Sequence, residues 1–100
     1  TASKGGTAIY YRRALHVVPL DTPSLSHIEA SVCRISLTGH QPIVIASVYL
    51  PPDTPLVSSD IESVFGMGVS VLLAGDLNCH HTRWNCHSSN INGRRLDAFI

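Results

Sequence analysis

Polar and apolar positions divide the chain into short runs with different periods. Thr7-Ala8-Ile9-Tyr10-Tyr11-Arg12 has the β-branched and aromatic bias of a strand and follows the flexible pair Gly5-Gly6. Two further apolar runs, Ile28 to Leu37 and Ile43 to Leu50, are joined by Thr38-Gly39-His40-Gln41-Pro42. So short a link, with a glycine in it, predicts an antiparallel hairpin. Ile43 to Leu50 is apolar on both faces, which predicts a strand central in its sheet, and it stops at Pro51-Pro52, which cannot continue a ladder.

After the prolines the period becomes helical. Ser59-Asp60-Ile61-Glu62 fits a capping box with Ser59 as N-cap, Ile61, Val64 and Phe65 line one face, and Gly66 or Gly68 ends the helix. The apolar run Val69 to Ala74 predicts another strand. Strand, helix and strand form a crossover that makes the two strands parallel neighbours, with Tyr49 and Asp76 at the carboxyl edge of one sheet. Cys79 to Asn92 shows no period and reads as a loop of a length usually reserved for function. Arg94 to Ile100 resumes a helical pattern through Leu96, Phe99 and Ile100, which places Arg94 and Arg95 in its first turn.

The last predicted strand runs into Gly75-Asp76-Leu77-Asn78, delivering an acid and an amide to the strand end. Alternation in an extended chain turns Asp76 and Asn78 to the same side, at the sheet edge where α/β folds commonly bind and react. Asp76 is a candidate to accept a proton or orient a water, and Asn78 to donate to an oxygen gathering negative charge. Tyr49 offers a hydroxyl to the same oxygen. The plain alternatives are an Asx turn at the strand end and an edge tyrosine with a wet hydroxyl.

Composition changes this picture only in part. The chain has 100 residues, 44% of them hydrophobic and 14% charged, a globular composition that allows at most one small domain. It starts without Met, and its last residues fall inside an apolar-periodic segment, so residues 1–100 are expected to be a single partial domain of something longer. The formal net charge is +0, which gives no global electrostatic argument for nucleic acid and does not exclude it. Cys33, Cys79 and Cys86 are an odd set, and no membrane span is present, so an intracellular, reducing location is expected. Nucleophilic enzymes find little support, since no Gly-x-Ser-x-Gly, Cys-x-x-Cys or phosphate-cradling P-loop occurs.

The loop concentrates Cys79, His80, His81, Cys86 and His87, a set of soft ligands whose spacings miss the usual zinc pairs. Partly exposed loop histidines are the better reading, with His81 the candidate substrate contact. Trp84 either stacks on a base or pins the loop to the body. Arg94 and Arg95 read as phosphate contacts or as a solvated pair.

Taken in order, Gly5-Gly6-Thr7-Ala8-Ile9-Tyr10, Val48-Tyr49-Leu50-Pro51-Pro52, Gly75-Asp76-Leu77-Asn78-Cys79-His80-His81 with Trp84, and Asn92-Gly93-Arg94-Arg95-Leu96 resemble the endonuclease/exonuclease/phosphatase superfamily. Within it the chain looks most like the apurinic-type endonuclease domain of non-LTR retrotransposons of the jockey and R1 kind. The resemblance implies a Mg²⁺-dependent phosphodiesterase in which Asp76 orients or deprotonates the attacking water, Asn78 stabilises the scissile phosphate and Tyr49 hydrogen-bonds a phosphate oxygen. His81, Trp84, Arg94 and Arg95 are the implied substrate contacts. The implied partners are a double-stranded DNA target and the rest of a polyprotein with its reverse transcriptase, acting in the nucleus and without a membrane. The superfamily's metal-binding Glu and its Ser-Asp-His triplet have no counterpart at Glu29, Glu62 or any of the histidines, so the metal ligand set is open and the chain by itself is expected not to cleave DNA. Leu77 and Cys79 stand where the family often has Phe and a small residue.

The expected fold is α/β, part of a four-layer α/β sandwich in which two packed mixed β-sheets are flanked by helices, here incomplete. Two rival readings remain open: a phosphatase-type member of the superfamily acting on an inositol phosphate or lipid headgroup, and a non-catalytic remnant or interaction module.

Overall fold

The computed structural model describes residues 6–84, 86 and 88–99. Strands β1 (His16–Leu20), β2 (Glu29–Ser36), β3 (Ile43–Tyr49) and β4 (Val71–Asp76) form one mixed sheet in the order β1-β2-β3-β4. Helix α1 (Ser58–Phe65) crosses from β3 to β4, and helix α2 (Ile91–Phe99) closes the described chain. The architecture is therefore α/β, with β1, β2 and β3 antiparallel and β3 parallel to β4. No helix among the described residues is long and apolar enough to cross a membrane.

β3 has a neighbour on each side, as its doubly apolar pattern predicts. Its alternate residues Val44, Ala46 and Val48 are buried on the face that α1 covers with Ile61 and Val64, and Leu50, Leu56, Ile28 and Val32 complete the core. Leu77, Cys79 and Leu96 pack against its rim, so the core reaches the loop after β4 and the inner side of α2. Residues Ile43, Ile45 and Tyr49 face the other way and are half-buried.

Asp60, in the first turn of α1, is 2% exposed, and its carboxylate accepts backbone N–H groups from Ser26 (2.7 Å), His27 (2.9 Å) and Ile28 (3.1 Å). This ties the approach to β2 onto the helix. Burial pushes the carboxyl pKa up, but the three N–H donors and nearby His27 outweigh it and hold the group below the ordinary aspartate value.

Several expectations are corrected. Residues 7–12 form no strand: β1 takes the ladder beside β2, and the segment pairs with neither β1 nor β4. The stretch lies instead against β2, where the Thr7 and Ser31 hydroxyls are 2.6 Å apart and the Ser31 hydroxyl donates to the Thr7 carbonyl (3.0 Å). β1 adds a strand to those the pattern predicts, and its edge position tolerates Pro19. The capping box does not form: α1 starts two residues earlier than a Ser59 cap implies, at Ser58, and its N-cap Val57 offers no side-chain bond. α2 begins at Ile91, so Arg94 and Arg95 lie beyond the first three helical residues.

Candidate functional site

The parallel register sets Tyr49 directly beside Asp76, and Leu50 N–H donates to the Asp76 carbonyl (2.9 Å). The strands thus end together, as the crossover reading expects. Gly75 makes this possible. It lies opposite Val48 with φ 142°, and a Cβ there would fall 1.9 Å from the Val48 carbonyl oxygen.

Beyond Asp76 the strand alternation stops. Asn78 adopts a left-handed φ of 49°, so the same-face argument does not extend to it. A hydrogen bond links the pair instead: Asp76 Oδ1 accepts the Asn78 N–H (2.8 Å), which is an Asx turn. Asn78 Nδ2 then donates to the Leu50 carbonyl (2.7 Å), stitching the ends of β3 and β4 together. Asp76 remains exposed with Oδ2 uncommitted among the described residues. Burial, and after it the Asp76 carboxylate, pushes the neighbouring Cys79 thiol pKa up.

On the α2 side of Asn78 opens a cleft of ≈ 600 Å³, lined by residues that include Asn78, His80, Arg94, Arg95 and Asp53. Asp76 and Tyr49 are not among its walls; they stand at the adjoining sheet edge. The two arginines are exposed. Arg94 Nη1 donates to the Ser89 carbonyl (3.3 Å), and Arg95 Nη1 approaches Asn92 Oδ1 (3.5 Å). With two guanidinium groups and one carboxylate, the walls favour an anion.

His81 and Trp84 lie outside these walls. A 3₁₀ turn over Thr82–Trp84 brings their ring centroids to 5.3 Å. His81 Nδ1 accepts the Arg83 N–H (3.1 Å), so Nε2 bears a hydrogen, and it lies 3.6 Å from Asp97 Oδ2. Arg83 Nη1 is 3.6 Å from the other Asp97 oxygen. Both ring nitrogens of His81 are thus turned inward, and the cluster pins the loop to α2.

The described residues contain no group of three His, Cys, Asp or Glu side chains able to hold a metal ion. His87, from the soft-ligand set, lies outside them. Mg²⁺ takes hard oxygen donors and is commonly held by one or two carboxylates with water and phosphate oxygens. Asp76, exposed and with one oxygen free, fits that role as a single contributing carboxylate.

Asn90 and Asn92 were not foreseen as site residues. Asn92 clamps the far wall of the cleft, accepting Leu56 N–H (2.7 Å) and donating to the Thr54 carbonyl (2.6 Å). Asn90 Oδ1 accepts Gly93 N–H (2.6 Å) as the N-cap of α2. An Asn ahead of an apolar-periodic run is a start signal, and it was available in the sequence.

Residues 43–100 match the family model described as endonuclease-reverse transcriptase. The chain is also 29% identical, over 98% of its length, to an RNA-directed DNA polymerase from the mobile element jockey of Drosophila funebris. It spans 11% of that relative's length. No solved structure matches it.

Proposed function

Because the chain belongs to the endonuclease-reverse transcriptase family, we propose that it is the DNA-nicking part of a retroelement polyprotein, a Mg²⁺-dependent phosphodiesterase acting on double-stranded DNA in the nucleus. The observation that carries the reading is the meeting of Tyr49, Asp76 and Asn78 at the paired ends of β3 and β4, beside an arginine-lined cleft. In the proposed reaction the free Asp76 oxygen orients or deprotonates the attacking water. Asn78 keeps one amide hydrogen beyond its bond to Leu50, available to a phosphate oxygen as charge develops. Tyr49 donates its hydroxyl to a second oxygen. Arg94 and Arg95 bind the backbone on the cleft side without reading sequence. Mg²⁺ would supply charge neutralisation at the phosphate. His81 and Trp84 support this arrangement by fixing the loop on α2.

The nick would leave a 3′-hydroxyl that primes reverse transcription of the element's RNA, which matches a relative named as an RNA-directed DNA polymerase. The test is relaxation of supercoiled plasmid by the whole protein. Mg²⁺-dependent nicking that is lost in Asp76→Ala and reduced at least about a hundredfold in Asn78→Ala is expected, the size of one lost transition-state donor. Hydrolysis of an inositol phosphate with intact plasmid would replace this reading with the phosphatase one. The chain alone, whose described residues bring one carboxylate, Asp76, to the paired ends of β3 and β4, is expected to leave plasmid intact.

A further inference from the structure

Asn90 does more than cap a helix. A cap needs only the bond from Gly93 N–H to Asn90 Oδ1. Here the same oxygen also accepts His80 N–H (3.0 Å), and Asn90 N–H donates to the His80 carbonyl (2.9 Å). The remaining group of the side chain, Nδ2, donates to the Asn78 carbonyl (2.8 Å). α2 therefore grips the backbone from Asn78 to His80 through one residue. The grip is close, because Gly93 leaves no room for a side chain: a Cβ there would lie 1.8 Å from the His80 carbonyl oxygen.

The grip falls on an uncommon backbone conformation. Asn78 has φ 49°, in the left-handed region that asparagine tolerates better than most residues, and here it is fixed by hydrogen bonds on both sides. Asp76 Oδ1 holds its N–H and Asn90 Nδ2 holds its carbonyl, so the two peptide planes that flank the Asn78 side chain are fixed from opposite sides.

We propose that Asn90 is a positioning residue for phosphodiester cleavage, fixing the Asn78 main chain and thereby the direction of the Asn78 carboxamide; this rests on the reading of Asn78 as a phosphate contact. The chemistry of Asn against Asp separates positioning from capping. A carboxylate at position 90 still accepts from Gly93 and His80 and suits a helix N-terminus, but it has no hydrogen to give the Asn78 carbonyl.

The experiment is Asn90→Asp, read in two ways. By NMR of this chain, the Gly93 and His80 amides are expected to stay protected while the Asn78 HN–Hα coupling departs from its left-handed value. In plasmid nicking by the whole protein, kcat is expected to fall about tenfold to a hundredfold, as for a misplaced catalytic group, with KM little changed. The same substitution placed in Asn78→Ala is expected to add nothing. Unchanged kcat in a folded N90D protein, or a full additional loss in the Asn78→Ala background, overturns the proposal. Should N90D fail to fold, Asn90→Ser keeps a cap too short to reach Asn78 and carries the same expectations. Full nicking by Asn78→Ala would overturn the phosphate role of Asn78 and the catalytic part of this proposal with it, whereas the coupling still decides whether Asn90 holds Asn78.

Discussion

Asp60 carries a charge into the interior because three backbone N–H groups converge on it. Its pKa is lower in the fold than in the unfolded chain, so the stability it contributes is fully present above the ordinary aspartate value of about 4 and is lost as pH falls through the depressed folded value. Asp60→Asn is expected to cost on the order of 2–3 kcal/mol at pH 7, the worth of charge-assisted bonds to a buried group. The gap between the two proteins in urea unfolding should narrow below about pH 4; a gap independent of pH would contradict this. Gly75 is constrained by backbone alone. Gly75→Ala meets both a glycine-only φ of 142° and a backbone oxygen 1.9 Å away, so a loss on the order of 3 kcal/mol or more is expected in thermal unfolding. Cys79 reports on the site itself. Neutralising its neighbour in Asp76→Asn removes a charge that raises the thiol pKa, so Cys79 should alkylate faster at mildly alkaline pH.

At the scale of elements, α2 is tied to the site by side chains at its N-terminus. Asn92 carries the link to the loop after β3, and Asn92→Ala would leave the buried Leu56 N–H and the Thr54 carbonyl unpaired. A loss of about 1–3 kcal/mol follows, together with faster exchange of the Leu56 amide in hydrogen-exchange measurements. The elements themselves were largely legible. The β2–β3 hairpin, the α1 crossover and the parallel β3–β4 pair follow from period and punctuation, and they are what brings Tyr49 to Asp76. The start of α2 was missed by three residues because Ile91, Asn92 and Gly93 are poor helix formers. Their helical state comes from the Asn90 cap, a start signal the sequence carries, and from contact with the His80 backbone, which has no signature in spacing.

The molecule as a whole has a core on one side of its sheet. α1 covers Val44, Ala46 and Val48, while on the opposite face Leu72, level with Ile45 in β4, is 58% exposed. β4 is also the end of the sheet among the described residues, so an apolar side chain and an unpaired edge coincide. Concentration-dependent self-association of the chain is expected in sedimentation velocity. Leu72→Lys should reduce it while changing stability by no more than about 0.5 kcal/mol, as for a surface position. Unaltered association in that variant would place the contact elsewhere.

The sequence by itself determined the alternation of strand and helix, the hairpin and the strand end at Gly75-Asp76-Leu77-Asn78, because period, prolines and glycines act over neighbouring residues. Tertiary structure decided the rest. Residues 7–12 have strand composition yet form none, since pairing depends on which neighbour the fold brings alongside: β1 takes the ladder of β2, and Thr7 meets β2 through the Ser31 side chain. Asp60 reads as a helix-start acid and serves a loop more than thirty residues away. Asn78 leaves the strand and is held from both sides by Asp76 and Asn90, because hydrogen-bond partners distant in sequence become available only once the sheet and α2 have brought them together.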